Sequence, residues 1–256
     1  MGLFNRKKVL PEDFFQGAHD MHSHLLPGVD DGFHTAEDAL EGLKYLEYLG
    51  FRHLMLTPHV LMEYKENNRA FLEARFEMFT NQMAGKTQVE LRLAAENMLD
   101  EHFITHRADP WLTLRESDRS ILVETSYLYK GYDMDNTLYD LVLDGYNPVI
   151  AHPERYQYAD EKLYALWHRK GYRFQLNLIS LAGGYGEPAK EKSLYLLDRG
   201  MYAFVGTDIH KISTFRRWLP ELKLKTAQVD ALHRLYENNT ALFEQKPETA
   251  VKRQTE

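Results

Sequence analysis

Cysteine is absent from all 256 residues. That removes disulfides, thiolate-bound zinc, iron–sulfur clusters and any cysteine nucleophile from consideration. Long apolar runs are missing too. No stretch approaches the ~18 residues of a membrane-spanning helix, and the opening MGLFNRKKVLPEDFF lacks the apolar segment of a secretory signal. Gly2 follows Met1, but Arg6 stands where N-myristoylation asks for Ser or Thr. The expectation is a soluble, cytoplasmic protein without stable membrane insertion. Positive charge is not in excess: 31 Lys and Arg face 38 Asp and Glu, for a formal net charge of −7. That balance gives no reason to expect a nucleic-acid partner. Repeats, low-complexity blocks and Ser/Gly/Pro-rich linkers are also lacking, so the chain reads as a single domain over 1–256, with about 1–17 as an N-terminal extension.

What is present is enough apolar material for a sizeable core, 44% of residues, arranged as short runs that alternate with helical patterns. Seven runs read as strands: Ala18–His22, His53–Thr57, Val89–Ala95, Ser120–Glu124, Pro148–Ala151, Tyr172–Leu176 and Tyr202–Gly206. Between them lie helices with legible ends. Thr35 precedes Leu40, Leu43, Leu46 and Leu49 at helical spacing, and Gly50 stops the run. Helical patterns over Met134–Asp144, Glu161–Lys170 and Pro188–Arg199 each run into a glycine. Asn67–Met83 and Gln228–Asn238 complete the set; Asp100–Ser117 has no clear pattern. The recurrent strand–helix–Gly–strand rhythm predicts an α/β fold of βαβ units with a mainly parallel sheet, as in a barrel.

Chemistry-bearing residues gather at the ends of these strands. The first runs into His22-Ser23-His24 and then Asp30-Asp31-Gly32. Others end in Thr57-Pro58-His59, Ala95-Glu96-Asn97, Val123-Glu124-Thr125, Ala151-His152-Pro153-Glu154-Arg155-Tyr156 and Gly206-Thr207-Asp208-Ile209-His210. Only Gln175-Leu176-Asn177 offers no obvious ligand. In β/α barrels the chemistry sits at the C-terminal ends of the strands, and side chains two apart in a strand share a face. His22, His24, Asp31, His59, Glu96, Glu124, His152, Asp208 and His210 therefore form a set of nine candidate ligands. Imidazole and carboxylate together suit Mn, Fe and Zn. Nine donors exceed what one ion uses, so two or three ions are expected. A lone HxH or a lone loop carboxylate would say little; the combination of two same-face doublets with single ligands on intervening strands carries the reading. His53, His168 and His233 read as surface or packing residues, and His34, His102 and His106 stay open.

The ordered motifs D-M-H-S-H-L-L-P-G-V-D-D-G, T-P-H, A-E-N, V-E-T, A-H-P-E-R-Y and G-T-D-I-H resemble the PHP (polymerase and histidinol phosphatase) superfamily. They are most similar to its branch of bacterial tyrosine-protein phosphatases from capsule and exopolysaccharide clusters, the CpsB/YwqE type, over about residues 18–212. The resemblance implies a distorted seven-stranded β/α barrel with a trinuclear, usually Mn²⁺-dependent centre, Fe or Zn being the alternatives. It implies one ion on His22, His24, Glu96 and Asp208, and a second on Glu96, Glu124 and His152. The third would sit on Asp31, His59 and His210. Arg155 matches the arginine that faces the phosphate, and Arg216 or Arg217 the family's second arginine, with spacing off by one. The implied partner is the phosphotyrosine tail of a bacterial tyrosine kinase.

Without cysteine, water has to be the nucleophile, and a polynuclear centre lowers its pKa while neutralising phosphate oxygens. Arg155 would clamp equatorial oxygens; its structural alternative is an ion pair with Glu154 or another loop acid. Tyr127, Tyr129, Tyr132 and Tyr156 follow ligand-bearing strands and are candidates for an aromatic rim around the substrate ring. The competing functions are a PHP phosphatase of a small metabolite such as histidinol phosphate, a phosphodiesterase, and a metal-binding scaffold without turnover.

Overall fold

The computed structural model describes residues 7–105, 110–131 and 133–244; His106 and Tyr132 lie outside them. The parallel strands are β2 (His19–Ser23), β3 (His53–Leu56), β4 (His59–Val60), β5 (Glu90–Leu93), β6 (Glu96–Met98), β7 (Ser120–Glu124), β8 (Asn147–Ala151), β9 (Arg173–Asn177) and β10 (Phe204–Gly206). Two short strands, β1 (Lys8–Val9) and β11 (Lys223–Leu224), pair antiparallel apart from the rest. The helices are α1 (Ala36–Leu49), α2 (Arg69–Met83), α3 (Glu101–Thr105), α4 (Met134–Leu143), α5 (Glu161–Arg169), α6 (Glu187–Asp198), α7 (Ile212–Trp218) and α8 (Thr226–Phe243). Thr35 caps α1 as its spacing predicts, its hydroxyl accepting from the Asp38 amide.

The fold is α/β with a curled parallel sheet, and its strand count differs from expectation. A six-stranded sheet runs β10-β9-β8-β7-β6-β4 and a three-stranded one β2-β3-β5, where one seven-stranded barrel is expected. The expected second and third strands, His53–Thr57 and Val89–Ala95, form as β3 and β5, and each is followed at once by a short strand that was not expected, β4 or β6. Pro58, which has no N–H to continue a ladder, separates β3 from β4, and Ala94-Ala95 separates β5 from β6. In both cases the first strand pairs in the small sheet and the second in the large one. β2 also lies beside the end of β10: Ser23 and Ile209 form a parallel bridge, Asp208 N–H donates to His22 O at 2.8 Å, and His24 N–H to Ile209 O at 3.1 Å.

Two apolar clusters hold this arrangement. A small one inside the curl contains Met21, Met55, Ala94, Leu122, Val149 and Phe204. A large one lies between the strands and the helices and is built on residues such as Leu43, Phe79, Trp167 and Phe174. Helix α8 outruns its predicted span because buried Asn239 ties it to the strands. Its side chain accepts from Val205 N–H and donates to the carbonyls of Val205 and His19. No helix among the described residues is long and apolar enough to cross a membrane.

Candidate metal centre

The nine predicted ligands converge on one end of the curl. His22 and His24 leave the end of β2 on one side. His22 Nε2 lies 3.1 Å from Glu96 Oε2 and 3.4 Å from Asp208 Oδ1, and His24 Nε2 is 3.3 Å from each of the same oxygens. All four residues are buried. Gly206 makes this packing feasible, because a Cβ there would sit 2.5 Å from the His22 Cβ. A second set surrounds Glu96: His59 Nδ1 at 3.2 Å and His152 Nε2 at 2.8 Å from its two oxygens, with Glu124 Oε1 3.0 Å from His59 Nδ1. The third is more open. Asp31 Oδ1 is 3.5 Å from His59 Nε2 and 3.4 Å from His210 Nε2, with His24 within reach. His59 thus turns one ring nitrogen toward each of two groups, and His24 is shared between two; the implied assignment gives each of these histidines to one ion.

Residues that sequence reasoning passed over orient the donors. Asp30 Oδ2 accepts from His24 Nδ1 at 2.8 Å and from the His59 amide, while Oδ1 accepts from the Gly32 amide. The Gln175 amide nitrogen donates to Leu176 O, which aims its oxygen at His22 Nδ1, 3.0 Å away, and at the His152 amide. An acceptor at Nδ1 requires the proton there, so His22 and His24 each present the Nε2 lone pair to the cluster. Asn177 holds Asp208 Oδ2 at 2.6 Å. The strand that offers no ligand therefore supplies two orienting amides. Asp30 stood beside Asp31 in the V-D-D-G motif; Gln175 and Asn177 carried no signal beyond their place at a strand end. His152 and Asp208 hold positive φ, 32° and 50°, a conformation costly for non-glycine residues and characteristic of functional sites.

Burial alone would push the Glu96 and Asp208 carboxyls up. The surrounding imidazoles outweigh it and hold both well below the usual carboxylate range. Burial and the neighbouring His24 act to lower His59, yet Glu96 and Glu124 raise it to about 9. The cluster is thus a set of ionised carboxylates compensated by cationic charge. Four of its buried atoms, His59 Nδ1, Glu96 Oε2, Glu124 Oε1 and Asp208 Oδ1, have no hydrogen-bond partner. Buried polar atoms left unpaired cost free energy. The four fall in two ligand groups that share Glu96, one with Asp208 and one with His59 and Glu124. Cations in both groups would satisfy them, and the thiolate-free imidazole–carboxylate donor set fits Mn, Fe or Zn. The residues fit a polynuclear centre.

Arg155, in the 3-10 turn Pro153–Arg155, donates to Asp208 Oδ2 at 2.7 Å. Its guanidinium is sandwiched between the rings of Tyr127 (4.3 Å) and Tyr185 (4.0 Å). It does form an ion pair, with Asp208 and not with Glu154, whose carboxylate instead accepts from Tyr202 and the Asn177 amide. Arg155, Tyr185, Ile179, Phe215 and Lys211 line a 290 Å³ cavity over Asp31, Asp208 and His210.

The structure places the residues expected to contact substrate differently from one another. Tyr156 is fully buried, its hydroxyl donating to Ala151 O, so it is a core residue and not part of a rim. Arg216 pairs with Glu41 on the surface, and neither it nor Arg217 lines the cavity. On α7 it is Thr214 and buried Phe215 that line the cavity, while Arg216 and Arg217 are exposed. Tyr127 is at the site, its hydroxyl donating to Glu124 Oε2 at 3.1 Å, whereas Tyr129 is 65% exposed in the following loop. Tyr185 and Lys211, unpredicted, take the lining positions.

Comparison with known proteins places this geometry. Residues 18–249 match the family model described as capsular polysaccharide synthesis, CpsB/CapC. The chain is 32% identical over 200 residues to tyrosine-protein phosphatase YwqE of Bacillus subtilis, covering 76% of this chain and 78% of that protein. It is 27% identical over 197 residues to the putative tyrosine-protein phosphatase CapC of Staphylococcus aureus, covering 76% and 77%. In three dimensions it is similar to a chain from the crystal structures of YwqE from Bacillus subtilis and CpsB from Streptococcus pneumoniae, described as unique metal-dependent tyrosine phosphatases. The TM-score there is 0.75 at 25% identity, with 87% of this chain and 93% of that chain covered. The chain belongs to the CpsB/CapC family of capsular polysaccharide synthesis.

Proposed function

We propose that this chain is a metal-dependent protein-tyrosine phosphatase acting on the phosphotyrosine tail of a bacterial tyrosine kinase in capsule or exopolysaccharide synthesis, in the cytoplasm. The observation that carries this is the set of four unpaired, buried donor atoms beside an arginine that opens onto a small cavity. The similarity to YwqE, CapC and CpsB supports the substrate class. On this reading His22, His24, Asp31, His59, Glu96, Glu124, His152, Asp208 and His210 hold two or three ions, Mn²⁺ foremost, with Glu96 shared between ions. The two sheets, with β10 beside β2, act as one distorted seven-position barrel that delivers these side chains to a common end.

When bound, such ions supply an activated water and neutralise phosphate oxygens. The protein's own contribution is orientation and charge. Arg155 spends one N–H on Asp208 and keeps others for the phosphate. The flanking tyrosine rings fix its plane, so little reorganisation is needed as charge builds. Tyr185, Ile179 and Phe215 give the cavity apolar walls suited to an aromatic ring. Its 290 Å³ lies near the lower end of the ~300–1,000 Å³ usual for small-ligand sites, which matches a single side chain entering from a polypeptide.

The test is hydrolysis of a phosphotyrosine peptide beside histidinol phosphate and a phosphodiester, with Mn²⁺, with chelator and after thiol alkylation. Phosphotyrosine should turn over best, fail with chelator, return with Mn²⁺ and ignore the alkylating reagent. A preference for histidinol phosphate or the diester would replace the substrate assignment, and activity untouched by exhaustive chelation would remove the metal from it.

A further inference from the structure

The short β1–β11 ribbon and the outward-facing Arg217 have no part in the catalytic reading, yet they meet. The pairing of Lys8 with Leu224 and Val9 with Lys223 pins the N-terminal strand beside α7. Lys7, Lys190, Arg217 and Lys223 then surround Trp218 in a 480 Å³ pocket, with Glu221 the one acid of its lining among the described residues. Four cations against Glu221 and the nearby Glu187 is a local inversion in a chain of net charge −7. Lys190 and Lys223 have loose acidic neighbours, Glu187 at 3.4 Å and Glu221 at 3.6 Å. Arg217 rests over the Trp218 ring, 5.5 Å from its centroid.

The pocket adjoins the catalytic cavity. The 3-10 segment Leu178–Ala182 gives Ile179 to the cavity and Leu181 to the pocket. Helix α7 gives Phe215 to one and Trp218 to the other, less than one turn away. A polypeptide whose phosphotyrosine fills the cavity reaches the pocket with a few residues at ~3.3 Å each.

We propose that this pocket is a second substrate-binding site, which takes acidic side chains flanking the phosphotyrosine on the same substrate polypeptide. The inference rests on the phosphatase reading above. Clustered cations on an acidic protein attract an anionic segment and raise its local concentration, an effect that salt weakens. The N-terminal extension acquires a role here, since β1 brings Lys7 to the pocket.

The experiment compares three substrates on the intact chain: free phosphotyrosine, a phosphotyrosine peptide with glutamates four to eight positions from the modified residue, and the same peptide with glutamines. The glutamate peptide should have the lower KM at equal kcat, with an advantage of about tenfold at low salt that shrinks as salt rises. Arg217→Glu should abolish the advantage and leave free phosphotyrosine turnover unchanged. Lys7→Glu should diminish it, and does so from a separate exposed element, which guards against a folding defect in one variant. An equal KM for the two peptides, or an advantage that survives Arg217→Glu, overturns the second site while the phosphatase reading stands. A parent enzyme that hydrolyses none of the three overturns both.

Discussion

At the residue scale, orientation matters as much as donor identity. Asp208 divides its carboxylate between roles: Oδ1 faces His22 and His24, while Oδ2 accepts from Asn177 and Arg155. Arg155→Ala therefore leaves Asp208 held by Asn177. The expected result is unchanged metal content and a fall in kcat/KM for phosphotyrosine peptide of about 10²-fold, the loss of one charge-stabilising donor. Parallel metal analysis and steady-state kinetics check it. Parent-level turnover would return Arg155 to a purely structural ion pair. Asp30 makes the complementary case. It binds no ion in this account, but it fixes the His24 tautomer, so Asp30→Ala should weaken metal affinity by about 10- to 100-fold. A chelator-competition titration reads that directly, and an unchanged affinity would show that the turn alone positions His24. The nine candidate donors stand out in the sequence because each lies in a recognisable motif at a strand end or in the loop that follows it. Gln175, Asn177 and Tyr185 were not, because amides and tyrosines have many uses and only the packing assigns one.

Among the elements, boundaries moved where a backbone partner was lost or a distant one gained. Pro58 follows the expected second strand, and past it His59 starts a new short strand that pairs with Glu96 instead of continuing the β3 ladder. Asn239 extends α8 through contacts with residues some 34 and 220 positions away, a separation no local pattern reveals. On α7, sequence spacing leaves Arg216 and Arg217 open, and the helix turns Phe215 into the cavity lining while both arginines are exposed. Opposite the metal end, Asp118 joins three elements at the start of β7. Burial pushes its carboxyl up, but hydrogen bonds from Arg115 and Ser120, with the Arg115 and Arg173 charges, outweigh that and hold it well below the usual range. A depressed carboxyl stabilises the fold above its unfolded value, ~3.9, and the contribution is lost as pH falls through that value toward the folded one. Asp118→Asn should thus destabilise the fold at neutral pH, by about 1 kcal/mol or less once solvent screening of this partly exposed group is counted. The gap to the parent should close as pH drops from about 4 to 2. Denaturant unfolding across that range measures it, and a gap independent of pH would assign the loss to packing.

The whole molecule combines a net charge of −7 with a buried cluster of carboxylates and imidazoles. Its alternating strands and helices were readable as an α/β fold with its chemistry at the strand ends. The division into six- and three-stranded sheets was not, because strand continuity across Thr57-Pro58 and Ala94-Ala95 depends on which neighbour each half finds. On the proposed reading, the convergent carboxylates and imidazoles would form one cooperative, polynuclear centre with Glu96 shared between ions. The most direct measurement is metal content per chain, by elemental analysis of protein prepared without chelator, taken with phosphotyrosine-peptide turnover for the parent and for Glu96→Ala. Two or three ions are expected in the parent, and the variant should stay folded while losing metal and activity together. A fully active parent with one ion or fewer, or a Glu96→Ala variant that keeps both, would contradict it.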